Sequence, residues 1–218
     1  MDARSRLKVL IAEKCVLKGE FVLASGQRSK VFFDCKRVTL DPEGLHLIAG
    51  LILETIDDLA RRDGRPIDAI GGPTIGADPV VGHVAGRSRE RAHGPPGSGA
   101  PAGAGAPSGA PAGAPAGAPA GPPVPAQRPL RAFLIRKETK DHGTQRIVEN
   151  EIPRGARVVI FEDVVTTGGS TLEAIRKAQE VGLEIACVIA IVDREQGGAE
   201  SLARYRYYPL FKKSEFGL

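Results

Sequence analysis

The sequence predicts an α/β domain, a mostly parallel twisted sheet flanked by helices. Three observations predict it. Apolar stretches of strand length, at 68–71, 132–135, 158–161 and 185–192, alternate with segments of helical periodicity. Val158-Val159-Ile160-Phe161 is continuously apolar, as a strand covered on both faces should be. Strands interleaved with helices require right-handed crossovers, and those make neighbouring strands parallel.

Taken in order, the first forty residues break this rhythm. They carry strand-like 20–23 and 31–33, and read as a separate flap over the sheet. Asp41-Pro42-Glu43 is a helix start: a capping side chain, Pro at the first helical position and an acid in the first turn. Leu45, Ile48, Ile52, Ile56 and Leu59 follow at helical spacing, so this helix should run to about Arg62. A short buried strand at 68–71 leads to a helix over about 77–91. Strands at 132–135 and 158–161 come next. A helix with Leu172, Ile175 and Ala178 inward should end near Gly182, and 185–192 is the last predicted strand.

Composition narrows the classes. The chain has 218 residues, 42% hydrophobic and 26% charged, with a formal net charge of +4. That suits one globular domain over 1–218. No run approaches the ~18 apolar residues of a membrane span. Lys8, Glu13 and Lys14 break the first apolar stretch, so a signal peptide is not expected. Cys15, Cys35 and Cys187 are far apart and odd in number, giving neither a disulfide framework nor metal-ligand spacing. A reducing, cytoplasmic setting is the expectation. The basic residues are dispersed among 26 acids and there is no Trp, so nucleic-acid binding is not favoured.

Residues 94–127 differ from the rest. They comprise 11 Ala, 10 Pro, 9 Gly, 2 Ser, one Val and one Gln, with no charge. Prolines at 107, 111, 115, 119 and 123 give a period of four, whereas collagen needs Gly at every third residue. The segment cannot bury enough apolar surface to offset its ordering entropy, so it is expected to be an extended, disordered insert. It reads as a tolerated loop expansion or as a tether. Because it precedes a strand, it should emerge away from the ligand-binding edge.

In open α/β sheets ligands bind beyond the carboxyl ends of the strands. Segments 71–78, 136–150 and 162–170 leave strands there. The last is the most informative, because a buried strand delivers Glu162 and Asp163, and Thr166-Thr167-Gly168-Gly169-Ser170 then opens a helix. Small residues at a helix N-terminus expose N–H groups and hydroxyls suited to phosphate. No Lys-Ser/Thr follows the glycines, and the G-x-G-x-x-G spacing is absent, so neither nucleotide fingerprint applies. Carboxylates repel phosphate. Two of them beside a phosphate cradle suit a ribose diol instead, or positive charge developing on the sugar.

FEDVVTTGGST resembles the phosphoribosyl-pyrophosphate motif of the type I phosphoribosyltransferases. RKETKDHG at 136–143 is similar to the catalytic loop of the orotate phosphoribosyltransferase family. SGQRSKVFFD resembles that family's orotate-binding segment, Val192-Asp193-Arg194-Glu195 its orotate-contacting strand, and GGPTIGADP at 71–79 the pyrophosphate loop of one branch. The likeness covers the chain except 94–127.

The resemblance implies the type I phosphoribosyltransferase fold with 1–40 as a hood, and transfer of a phosphoribosyl group to orotate. Arg136, Lys137, Lys140 and His142 would meet the pyrophosphate, with Asp163, Lys137, Lys140 and His142 closest to the chemistry. Glu162 and Asp163 would hold the ribose hydroxyls. Thr166, Thr167, Gly168, Gly169 and Ser170 would cradle the 5′-phosphate, with Val164 and Val165 also in the phosphoribosyl-pyrophosphate site. Phe32 and Phe33 would flank orotate beside Thr166, and Arg194 would meet its carboxylate. An aromatic pair in a strand is as readily core, a reading left open for Phe32 and Phe33. Magnesium would be carried mainly by the substrate, and a homodimer would share its active sites. The family's flap lysine is Ala24 here, and its Tyr-Lys is Ile75-Gly76. Either Lys30 or Arg28 partly compensates, or phosphoribosyl pyrophosphate binds less tightly. The alternative function is a nucleic-acid-binding regulator that keeps the phosphoribosyl site as a sensor.

Overall fold

The computed structural model describes residues 1–22, 26, 28–94, 128–138 and 146–218. The expectations placed on Ala24, Lys140, His142 and 95–127 lie outside the described residues.

Helix α1 (Ala3–Lys14) is an element the sequence reading did not contain. Its charged residues interrupt the apolar positions, yet Leu7, Leu10 and Ile11 are buried in the main core. Asp2 caps it, accepting the Ser5 N–H at 2.9 Å. Strands β1 (Val16–Val22) and β2 (Arg28–Phe33) then form a separate antiparallel pair, the hood. The single turn α2 (Lys36–Thr39) leads into α3 (Pro42–Asp63). Asp41 Oδ1 accepts the Gly44 N–H at 2.9 Å, and α3 ends at Gly64 with φ +61°. Both ends fall within a residue or so of expectation.

The central sheet contains β3 (Ala69–Pro73), β4 (Arg131–Ile135), β5 (Val148–Glu149), β6 (Arg157–Val165), β7 (Glu184–Asp193) and β8 (Tyr207–Lys212). Their order is β5-β4-β3-β6-β7-β8, parallel throughout except β5. Helices α4 (Asp78–His93) and α5 (Gly169–Glu180) make the crossovers, and the short α6 (Gly198–Ser201) precedes β8. Strand β8, with Pro209 inside it and most of its residues half-buried, lacks the aliphatic run that marks β6 and β7.

The continuous apolar run of β6 has the predicted cause. Val159 and Phe161 pack with α1, α3 and α4 residues on one face, while Val158 and Ile160 pack with Ala174, Ile175 and Ala178 of α5 on the other. Strand order reverses between β3, whose crossover runs outward to β4, and β6, whose crossover runs the opposite way to β7. Such a reversal splays the loops apart and opens a crevice at the carboxyl ends.

Candidate active site

Three chain segments enter that crevice. From β3 comes 74–77, from β4 come Arg136, Lys137 and Glu138, and from β6 comes the turn into α5.

The β6–α5 turn is built around Gly168, at φ +83°. The first helical bond runs from the Leu172 N–H to Gly168 O, so the Gly169, Ser170 and Thr171 N–H groups precede the helix ladder and face outward along its axis. Beneath them, Glu162 is 8% exposed and accepts from the Ser170 hydroxyl at 3.2 Å and the Thr171 hydroxyl at 3.1 Å. Burial, then the Asp163 charge, pushes its carboxyl up to about 7 against those two bonds and the attraction of Lys137. Asp163 is also raised, by burial, and opposed by the Val164 N–H bond and by the charge of Lys36. Its Oδ1 accepts the Val164 N–H at 2.8 Å. Thr166 is half-buried and Thr167 exposed at the mouth of the turn, while Val165 belongs to the core.

The other two segments are shaped for access. Thr74, Ile75, Arg136, Lys137 and Glu138 line a cleft of about 500 Å³, and Ile75 stands 76% exposed at its rim. Arg136, expected to meet pyrophosphate as a fork, pairs its Nη1 with Glu149 at 3.2 Å, and its Nε is buried without a hydrogen-bond partner among the described residues. Lys137 carries the described positive charge of this loop toward Glu162.

Arg194 sits at the seam between the sheet and the hood. It is 3% exposed, and its Nη2 donates to Ser29 Oγ at 3.0 Å and Val31 O at 2.8 Å, both on β2. Its Nε is buried without a hydrogen-bond partner among the described residues. The aromatic pair divides. Phe32 is half-buried and stacks on Phe21 with centroids 5.5 Å apart. Phe33 is 3% exposed and packs edge-on to Phe216 at 5.6 Å. The Phe33 ring is core, with the Arg194 guanidinium carbon 6.0 Å from its centroid, while Phe32 is the less buried of the two rings.

Two contributors were missed. Lys36 follows the hood and its charge reaches Asp163, whereas Lys30 and Arg28, the cations the flap motif offers, line a cleft on the hood itself. Ser29, which holds Arg194, carried no signal beyond lying in the flap motif.

No protein-family model matches the chain, but individual proteins do. It is 35% identical over 91% of its length to orotate phosphoribosyltransferase of Rhodopirellula baltica, covering 84% of that protein. It is 34% identical over 99% to the Aquifex aeolicus protein of the same name, covering 98% of it. The chain belongs to the orotate phosphoribosyltransferase family. The solved Mycobacterium tuberculosis orotate phosphoribosyltransferase, in complex with Fe(III) dicitrate, overlays with a TM-score of 0.69 at 30% identity, each chain covering 100% of the other. A phosphoribosyltransferase from Corynebacterium diphtheriae overlays at 0.70 with 26% identity and the same full coverage. These relatives extend the family likeness from motifs to the whole sheet. Among the described residues no helix is long and apolar enough to cross a membrane.

Proposed function

We propose that the chain transfers the phosphoribosyl group of 5-phospho-α-D-ribose 1-diphosphate to orotate, forming orotidine 5′-phosphate and pyrophosphate in pyrimidine biosynthesis. The observation that carries this is the β6–α5 turn, where a helix N-terminus stands beside two adjacent carboxylates, Glu162 buried and Asp163 half-buried. Phosphate suits the first and a sugar gaining positive charge suits the second.

In this reading the C1–oxygen bond of the ribose breaks as the orotate ring nitrogen bonds to C1. Glu162 and Asp163 hold the ribose hydroxyls and face the cationic carbon. Residues 166–170 receive the 5′-phosphate. Lys137 takes the charge of the leaving pyrophosphate, together with Lys140 and His142 of the same loop, while the paired Arg136 shapes the loop's root. The orotate carboxylate supplies the partner that Arg194 Nε lacks, and Phe32 offers a ring to the pyrimidine. Discrimination against uracil follows, because a base without the carboxylate leaves that buried donor unpaired.

The residues present fit a metal brought in by the substrate. Glu162 and Asp163 stand beside the ribose, and no group of three His, Cys, Asp or Glu converges among the described residues. Mg²⁺ carried on the diphosphate neutralises part of the leaving charge. The protein acts as a homodimer whose 136–143 loop serves the partner's site. The three cysteines, all free and buried, suit the reducing cytoplasm.

Orotate's ultraviolet absorbance, followed with phosphoribosyl pyrophosphate and Mg²⁺, tests this. Turnover should require the metal, collapse in Asp163→Ala and Lys137→Ala, and leave uracil untouched; Arg194→Met should raise the KM for orotate far more than that for the sugar phosphate. A folded protein that consumes no orotate, or that accepts uracil equally well, overturns the reading.

A further inference from the structure

We infer that Lys177, well along α5, is a positioning residue for Lys137 and locks the phosphate-cradling helix to the loop bearing the leaving-group cation. The inference rests on the proposed reaction and adds a residue outside the motifs quoted above.

Lys177 is only 7% exposed, at an inward position of its helix. A lysine is rarely buried, because its ammonium gives up hydration and must find acceptors for three N–H donors. Lys177 finds them. Nζ donates to Arg136 O at 3.0 Å and to Lys137 O at 2.7 Å, and stands 3.4 Å from Glu173 Oε1. Glu173 is half exposed and already bonded twice by Arg176, so its share is the weakest of the three. The ammonium is chiefly a clamp on two consecutive carbonyls.

Those carbonyls are where strand β4 ends. The Arg136 N–H donates to Ile147 O at 2.9 Å, so this residue is held on both sides of the chain. Lys137 is thereby fixed relative to α5, two turns (about 10 Å) from the Ser170 and Thr171 hydroxyls that hold Glu162. The charge of Lys137 reaches Glu162 from there. A cavity of about 270 Å³ separates the two segments, lined by Pro73, Ile135, Ser170 and Ala174 besides the two lysines. Hydrogen bonds from the Lys177 ammonium to two main-chain carbonyls, rather than apolar packing, set where Lys137 stands. One rigid helix therefore registers the ribose carboxylate, the phosphate cradle and the pyrophosphate cation against each other.

Two measurements test this. The first is steady-state kinetics on wild type, Lys177→Met, Lys137→Ala and the double variant. Lys177→Met should lower kcat between about ten- and a hundredfold, as misplacement of a group by an ångström does, with KM for orotate little changed. The same substitution should cost far less in the Lys137→Ala background, since the group it positions is gone. Lys177→Arg, which retains donors, should recover most of the rate. Additive losses, or a KM rise at constant kcat, overturn the inference. The second is amide hydrogen exchange at 136–138 in the substrate-free protein, which does not depend on activity. Exchange there should quicken in Lys177→Met while β6 stays protected; unchanged exchange overturns the inference whatever the kinetics. If Lys177→Met does not fold, Lys177→Gln, shorter and uncharged, takes its place in both measurements. Absence of orotate turnover in wild type would instead strike the proposed reaction and leave the exchange result to judge the clamp.

Discussion

Gly76 lies so close to Asp163 that a Cβ on it would stand 2.8 Å from the carboxylate Cγ and Oδ1. The loop after β3 thus backs the carboxylate at the end of β6, across the point where strand order reverses. The absence of a side chain at 76 lets Asp163 stand where it does. Gly76→Ala should displace that carboxylate and lower kcat/KM by roughly ten- to a hundredfold, with little change in melting temperature. Gly72 provides the contrast. Its Cβ would meet Phe161 O at 2.0 Å, a main-chain atom in the sheet, so Gly72→Ala should lose the fold itself. Thermal melts beside kinetics separate the two, and a Gly76→Ala enzyme with wild-type rates would show that the carboxylate tolerates the shift.

Glu162 makes the substrate-free protein less stable as pH rises. Its folded carboxyl is raised from 4.5 to about 7, so between those values the native state holds a proton that the unfolded state has released. Stability must then fall with rising pH across that window, by about 3 kcal/mol in full. Urea unfolding from pH 4.5 to 7.5 should show this decline in wild type and a flatter profile in Glu162→Gln. Equal slopes in the two proteins would mean that burial at this site does not hold the proton.

Much of this molecule was legible in its sequence. The β6–α5 segment was readable because strand, acids, small residues and helix start are contiguous, so local chemistry and local structure coincide. Helix α3 was readable for the same reason, with Asp41 and Gly64 marking its ends. Helix α1 was not, because only Leu7, Leu10 and Ile11 need the core and charged neighbours mask their spacing. Phe33 shows a different limit. Sequence places two rings side by side, but only the register of β2 against β1 and the position of Phe216 decide which one is core. Lys36 and Lys177 act on residues more than a hundred and some forty positions away, contacts that periodicity cannot reveal.

Removal of 94–127 should leave turnover nearly intact. The described flanks meet each other: the Leu130 N–H donates to Ser88 Oγ at 2.8 Å, joining the end of α4 to the entry of β4. Arg131, opening β4, pairs with Ala69 at the start of β3, the end of the sheet opposite the crevice. A few glycines can span that junction, and loop-closure entropy changes slowly with length. A deletion variant that folds but loses most of its kcat would place the segment near the reaction after all.

At that same remote end, Asp63 receives both Arg157 and Arg206. Arg157, 5% exposed, ion-pairs with Asp63, and Arg206 Nη1 lies 2.7 Å from both Asp63 oxygens. The pair joins the last turn of α3 to the first residue of β6. Removing Asp63 leaves the buried Arg157 only the Arg65 carbonyl at 3.1 Å and Glu184 at 3.7 Å, so Asp63→Asn should lower stability by up to about 3 kcal/mol. The sign with pH is opposite to that of Glu162. Arg206 and then Arg157 hold the Asp63 carboxyl below its ordinary 3.8, so this stabilisation is present above that value and fades as pH falls through the folded value. Denaturation at pH 7 and near pH 2 should show the wild-type advantage in the first and little in the second. Activity should not follow. Arg157 opens a nine-residue strand that carries Glu162 and Asp163 five and six residues further on, roughly 17–20 Å away at ~3.3 Å per residue. Below its melting temperature, Asp63→Asn should therefore keep the wild-type KM for both substrates, and a changed KM would reveal coupling along β6 that local packing does not account for.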